Sequence, residues 1–537
     1  MDNFLKKLKN FLLFKNPIYN FFLERRSVSE ILFIPESLWS GDPENGKQII
    51  GGYLNFNGES FYFKNNIWKK NQASNLWNHQ LHSFVWLKDV RAVGTDKARI
   101  FGRKSILEWL NHFNKWDPNI WHPEILSKRI YFLLSNLSFF YNTADEIFQR
   151  KISKSINKQS LHLFALLERS VEKHDKIFAA KAMILSSLCF KNLRNQFDVG
   201  QKRLMNIIKT DLLPDGMHYL KSPSRHFSFL RSLIEIKNYL GSLKISIPSK
   251  LNVKINEMSS ILKFFRIGNG ELAIFNEYKY VSNDQLNQVI KRSNSKFKIP
   301  EILKFSGFQR VSRNKITFLM DCGVPTKENT HAGSLSFEFS FGTEKIVVNS
   351  GTPYIKNKKS SEFVRSTQAH STISIDNYDS SNIFFGNNQN RRIANVWSKK
   401  LEDGNNFWID SAHSGYKSLF NLIHNRKIHI DSNNSIIRGQ DYFSKPLKNF
   451  SNAPKKFFLR FHIHPEIELN VTRSKKKVLL RLKNNLGWEF ICSEPRVELK
   501  QGVYLGGNKL VQKNSHILIS DNIIAEKKIK WLFRLIK

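Results

Sequence analysis

Asn329-Thr-His-Ala-Gly-Ser-Leu-Ser-Phe-Glu-Phe-Ser-Phe-Gly-Thr-Glu-Lys-Ile-Val-Val-Asn-Ser-Gly-Thr-Pro-Tyr354, followed by Ala369-His-Ser-Thr-Ile-Ser-Ile-Asp376, is the stretch whose reading decides the fold. Leu335–Phe341, Lys345–Val348 and Thr372–Ile375 read as short strands, and Ser340-Phe-Gly342 reads as the turn between the first two. His331 and His370 sit at the mouths of these strands, separated by a Gly-Thr-Pro turn and a basic loop.

Working outward toward the C-terminus, the strand texture continues. Ile393–Trp397, Phe407–Asp410, Lys427–Ile430, Phe457–Ile463, Val478–Leu482 and Trp488–Cys492 are β-rich runs, with turn residues such as Asp403-Gly-Asn405 between them. Many antiparallel strands in series predict a sandwich or stacked sheets. Toward the N-terminus the period changes. Ser105–His112, His162–Lys173, Phe178–Phe197 and Phe227–Leu240 carry apolar residues at helical spacing; Leu163, Leu166, Leu167 and Val171 mark one such face. Ile34–Phe63 reads as a small β-rich lead-in, with a Gly-Asp-Pro turn at 41–43. The polar stretch Asn283–Glu301 reads as a boundary. The expected organisation is therefore an N-terminal lead-in over 1–74, a helical domain over 75–290 and a β domain over 300–537. The fold class is multidomain α+β, with helices first and antiparallel sheets second.

A chain of 537 residues exceeds one ordinary core. Its formal charge of +39, from 84 basic and 45 acidic residues, favours anionic partners. The basic residues are scattered rather than striped, so codon bias explains the excess equally well. No nucleic-acid motif is present, and a specific nucleic-acid partner is not expected. Cys189, Cys322 and Cys492 are far apart and suggest neither a disulfide framework nor a cysteine metal site. No apolar run reaches the ~18 residues of a membrane span. The N-terminal segment, interrupted by Lys15 and Pro17, reads as an amphipathic helix that packs on the body or touches a membrane surface, not as a signal peptide. The oligomeric state is not legible.

Several ordered strings make a resemblance specific. Phe84-Val-Trp-Leu-Lys-Asp89, Trp116-Asp-Pro-Asn-Ile-Trp121 and Leu213-Pro-Asp-Gly-Met-His218 lie in the helical half. Phe264-Phe-Arg-Ile-Gly-Asn-Gly270, Ser306-Gly-Phe-Gln-Arg310, the two histidine blocks, His413-Ser-Gly-Tyr416, His424-Asn-Arg426 and Arg460-Phe-His-Ile-His-Pro465 follow. Together they resemble the heparinase II/III-like proteins of Alphaproteobacteria, from roughly Trp39 to the C-terminus. The resemblance implies an (α/α) toroid followed by stacked antiparallel sheets, with an acidic polysaccharide or oligosaccharide bound in a cleft between them. It also implies cleavage of a uronic-acid glycosidic bond by β-elimination, and a cell-envelope or periplasmic setting, although the N-terminus shows no clear export signal.

Elimination needs a base at C5 of the uronate, an acid at the leaving oxygen and neutralisation of the adjacent carboxylate. By resemblance, the catalytic candidates are His226 and Arg225 in Ser222-Pro-Ser-Arg-His226, His331, and the nearby phenol Tyr219. Active lyases carry Tyr where this chain has Arg225, and an arginine clamps carboxylates better than it accepts protons. His218, Asn329, Arg365 and His462 are the substrate-binding candidates. Zinc-bearing relatives carry His-x-His-Ala-Asp, then an Asp near a Gly-Pro turn, then Ala-His. Here Asn329, Gly333 and Asn349 replace the first His and the two Asp residues, while His331 and His370 remain. Three readings of that pair stay open: a Zn or Ca structural ion, with Asp376 or Asp379 as substitute ligands; a catalytic or substrate-binding role; or a simple hydrogen-bonded pair at adjacent strand ends. The helical-half tryptophans are candidates for sugar stacking or for core. Two functions remain, a lyase and a non-catalytic glycan-binding protein on the same scaffold.

Overall fold

The structure is a computed structural model, and it describes residues 11–64, 66–69, 72–167, 176–326, 331–352, 358–383, 392–444, 456–508 and 511–536. By packing, the chain divides into two compact units. One comprises residues 1–210 and 232–251, the other 211–231 and 252–537. The segments 211–231 and 252–300 therefore belong with the β half. The polar stretch read as a boundary contains the helix Asn283–Ser293, capped by Ser282, whose hydroxyl accepts from the Gln285 amide. Its charges face solvent while Leu286 and Val289 are buried.

The first unit is helical. Asp96–Phe113 starts at the Thr95 cap, Glu146–Leu167 is the longest helix described, and Lys176–Cys189 ends before a 3-10 turn at Lys191–Gln196. The β-rich lead-in also holds a helix, Pro43–Ile50, because Asp42 caps it and Pro43 pre-sets its first turn. The hairpin Tyr53–Phe56/Glu59–Tyr62 follows. Trp77, Trp86, Trp109 and Trp121 are fully buried in one apolar cluster, so they build core and do not stack on sugars. The N-terminal helix Pro17–Arg26 packs on this unit. Leu23 is buried, the Tyr19 hydroxyl meets His162 Nδ1 at 2.8 Å, and Glu24 pairs with Lys158 at 2.8 Å. Among the described residues, no helix is long and apolar enough to cross a membrane.

The second unit is a sandwich of antiparallel sheets. The first sheet has the strand order Glu498–Tyr504, Gln512–Asn522, Lys456–Ile463, Glu344–Val348, Phe337–Phe341, Ile316–Asp321, Phe308–Arg313, Ile302–Leu303, with Ile373–Ile375 also paired to Lys456–Ile463. The second runs Val396–Asp403, Asn406–His413, Ile423–Asp431, Ile436–Ser444, Ile529–Leu535, Gly487–Cys492, Lys477–Arg481, Glu468–Val471. Alternate residues of the two sheets meet in one core. The Phe337 ring stacks on Trp531 with centroids 5.6 Å apart, and Phe461 meets Trp531 edge-on at 4.8 Å. Gly342 and Gly404 adopt φ 57°, the left-handed turn conformation expected for Ser340-Phe-Gly342 and Asp403-Gly-Asn405.

Candidate functional site in the β unit

Most of the candidate residues converge within this second unit. The convergence depends on the loop that holds Asn276 and Glu277. Asn276 sits at φ 54°, which turns its amide into the unit. Its Nδ2 donates to the Lys221 carbonyl at 2.9 Å and its Oδ1 accepts the His331 amide at 3.1 Å. The next carbonyl, of Glu277, accepts the hydroxyls of Ser222 and Ser224, and the Glu277 carboxylate takes Arg225 Nη2 at 3.0 Å. Two sequence-distant strings, Lys221–Arg225 and His331, are thus tied to one turn.

His331 and His370 are 5% and 4% exposed, and His331 Nδ1 stands 3.1 Å from His370 Nε2. His370 Nδ1 is 2.7 Å from the Ser366 carbonyl, which can only accept. That fixes the tautomer: Nδ1 of His370 carries the proton and Nε2 is the acceptor. His331 Nδ1 is then the donor within the pair. Burial lowers the His370 pKa to about 4, so His370 is neutral at ordinary pH. Arg365 is buried beside it. Its carbonyl accepts the Ala332 amide at 2.8 Å, and its guanidinium, destabilised by burial, is held charged partly by Glu277. Arg225 is thus paired with the Glu277 carboxylate, whose charge also acts on Arg365 beside the histidine dyad. The group is a polar, net-cationic cluster, suited to a carboxylate and to proton transfer.

A metal ion does not fit these residues. Asn349 replaces the expected anion, and its amide is fully engaged. Nδ2 donates to the Ile274 carbonyl at 2.9 Å, and Oδ1 accepts the Ser371 amide at 3.0 Å. Asp379 accepts the Thr367 amide at 2.6 Å, and Asp376 accepts that of Lys456 at 2.9 Å. Among the described residues, no cluster of three or more His, Cys, Asp or Glu can hold an ion. Gly333 adds a steric reason. A Cβ there would lie 2.7 Å from His370 Cδ2, so the present ring position requires the glycine.

Other expected site residues are buried and hydrogen-bonded within the unit. His226 is fully buried; its Nε2 donates to the Met258 carbonyl at 2.8 Å and its Nδ1 accepts the His218 amide at 3.3 Å. Both nitrogens are engaged, and burial lowers its pKa to about 4, so His226 anchors the string. His218 is buried too, with Nδ1 taking the Leu220 amide at 3.3 Å. His462 lies behind His370: its Nε2 donates to the Gln368 carbonyl at 3.0 Å, and its ring packs on His516. It is 2% exposed, which removes it from a substrate surface. Tyr219 and Arg225 remain half-buried. Asn329 lies outside the described residues. Sequence reading passed over Asn276 and Glu277, because nothing local distinguishes them; only the left-handed turn places them.

A second network locks the sandwich under the site. Asp441 accepts from Arg426 Nε at 2.8 Å and Nη2 at 3.2 Å, from His424 Nε2 at 2.6 Å and from Trp531 Nε1 at 2.8 Å. His424 in turn meets His413 at 3.0 Å. Arg426 Nη1 then donates to the carbonyls of Leu335 and Ser371, the strand ends beside the dyad.

Comparison with known proteins accords with this architecture. Residues 301–532 match the family model described as heparinase II/III-like, C-terminal. The chain carries a heparinase II/III-like C-terminal domain. It is 25% identical over 511 residues to FtsZ-localized protein C of Caulobacter vibrioides, covering 91% of this chain and 88% of that one. Among solved structures, heparinase III superposes with a TM-score of 0.72 at 14% identity, covering 99% of this chain and 91% of that one. Heparan sulfate lyase HepC from Pedobacter heparinus gives 0.62 at 14% identity, with 92% and 82% covered. These likenesses establish the fold, a helical toroid class followed by stacked antiparallel sheets.

Proposed function

We propose that this heparinase II/III-like protein binds an acidic, uronate-containing glycan at the His331–His370 site and cleaves it by β-elimination. The observation that carries the reading is the hydrogen-bonded His331–His370 dyad beside Arg225, Glu277 and Arg365. In this mechanism His331 Nε2 takes the C5 proton. Arg365, with Arg225, offsets the uronate carboxylate and the charge that builds on it in the transition state. Tyr219, on the same string as Lys221, is the phenol that supplies a proton to the leaving oxygen. Bond balance is simple: the C5–H electrons form the C4–C5 double bond as the C4–O bond breaks. The cell envelope is the compartment we assign, on the family resemblance and the net positive charge.

One observation favours a second reading, a glycan-binding protein without elimination. Arg225 stands where active lyases carry Tyr, and it is committed to Glu277. The test is incubation with heparan sulfate, alginate, hyaluronan and bacterial envelope glycans, following the ultraviolet absorbance of the unsaturated product. Elimination predicts a signal that His331→Ala abolishes while the melting temperature holds. Silence on every glycan, together with measurable binding, overturns the lyase reading and leaves the second.

A further inference from the structure

The outer face of the second sheet carries a groove of 710 Å³ that lies apart from the dyad. Strand alternation sends Phe407, Ile409, Ile428 and Ile430 into the core and turns their neighbours outward. Register then arranges the outward residues in two adjacent cross-strand rows. One row is Leu401–Trp408–His429–Arg438–Leu532; the other is Lys399–Asp410–Lys427–Gln440–Lys530. The first row is largely apolar and aromatic, with Arg438 as its one cation. Trp408 and His429 stack with centroids 5.0 Å apart and an interplanar angle of 28°. The second row is basic, with Lys399, Lys427 and Lys530 on every second strand. At ~4.8 Å between strands, they recur at intervals of roughly 9.5 Å. Asp410 is the one carboxylate lining the groove among the described residues, and it is half-exposed beside Lys427 at 3.1 Å.

A ligand matching both rows has flat apolar faces on one side and regularly spaced acid groups on the other. We propose that this groove is a second binding surface for a linear acidic oligosaccharide, with sugar rings on the Trp408–His429 row and acid groups on Lys399, Lys427 and Lys530. A groove of this volume falls in the range of small-ligand sites. Leu401 flanks the aromatic pair on one side and Arg438 on the other, with Leu532 beyond it, and His429 already covers part of Trp408. That suits the C–H face of a pyranose better than a nucleobase, which needs an open ring face. The proposal does not depend on elimination at His331.

The test is calorimetric titration with a heparin decasaccharide, in the full chain and in a His331→Ala/Arg225→Gln background, so that loss of the dyad site and loss of the groove are read separately. Lys399→Gln/Lys427→Gln/Lys530→Gln changes only surface charge and is expected to weaken the groove event at least tenfold in both backgrounds. Trp408→Ala should do the same, and if it fails to fold the triple variant decides. Affinity within twofold of the parent in the triple variant overturns the proposal. Equal binding of neutral dextran, or tighter binding of a single-stranded DNA lost in the same variants, overturns it as well.

Discussion

Asp441→Asn is the sharpest probe of what holds the sandwich together. Asp441 and Arg426 are both 0% exposed. The carboxylate accepts four hydrogen bonds, from Arg426 twice, His424 and Trp531, and this stabilisation outweighs desolvation and holds its pKa well below the usual carboxylate range. An asparagine is isosteric, but its NH2 points a donor at donors and leaves Arg426 without a counter-charge. Removing one partner of a buried pair costs about 3–5 kcal/mol. At about 2–4 °C per kcal/mol for a large domain, the melting temperature should fall by roughly 6–20 °C. Arg426→Met should cost a similar amount, and it also releases the carbonyls of Leu335 and Ser371. The double variant Asp441→Asn/Arg426→Met removes both charges, so it should cost much less than the sum of the singles, with a coupling of about 2 kcal/mol or more. Calorimetry or circular-dichroism melts of the four proteins read the cycle. A shift below ~2 °C for Asp441→Asn, or additivity within ~0.5 kcal/mol, would refute the argument that an uncompensated buried guanidinium is the dominant cost.

Two further outcomes follow from the same physics. Burial holds His82, His162 and His218 near pKa 3, and His226, His370, His464 and His516 near pKa 4. Their unfolded values are ~6.5, so below that pH the unfolded chain binds more protons and stability falls as pH falls. Buried Asp321, raised to about 6, and Glu338, raised to about 7, act in the opposite sense, but they are outnumbered. Denaturant melts should therefore show a loss of several kcal/mol between pH 7 and pH 5, and a flat profile would contradict the neutral burial of these histidines. Gly333→Ala, whose Cβ would meet His370 Cδ2 at 2.7 Å, should destabilise by about 1–3 kcal/mol and shift the His370 ring signals in NMR spectra; unchanged stability and an unmoved ring would show that the site has slack the geometry denies.

The strands were legible because their signal is local. Phe337, Phe339 and Phe341 alternate with polar residues and are closed by a glycine turn, so period and turn chemistry agree. The dyad was legible in part. His331 and His370 stand in recognisable strings that suit three roles; that the two rings are hydrogen-bonded to each other and to the Ser366 carbonyl is visible only in the tertiary structure. For His226 and His462 the motif gives no sign of which carbonyls, such as those of Met258 and Gln368, will take up a ring nitrogen. The Gly-Asp-Pro at 41–43 was taken as a turn because Asp and Pro favour both turns and helix starts.

By itself the sequence determined the class of each half, the family of the C-terminal domain and the replacement of metal-site aspartates by Asn349 and Gly333. Those properties reside in residue identity and short-range period. Tertiary structure alone decided which side chains share a site. A left-handed turn at Asn276 and a sheet register aligning residues tens of positions apart bring Arg225, Glu277, His331, Arg365 and His370 into one cluster. Contacts of that kind depend on how distant segments pack against one another, and no local pattern encodes them.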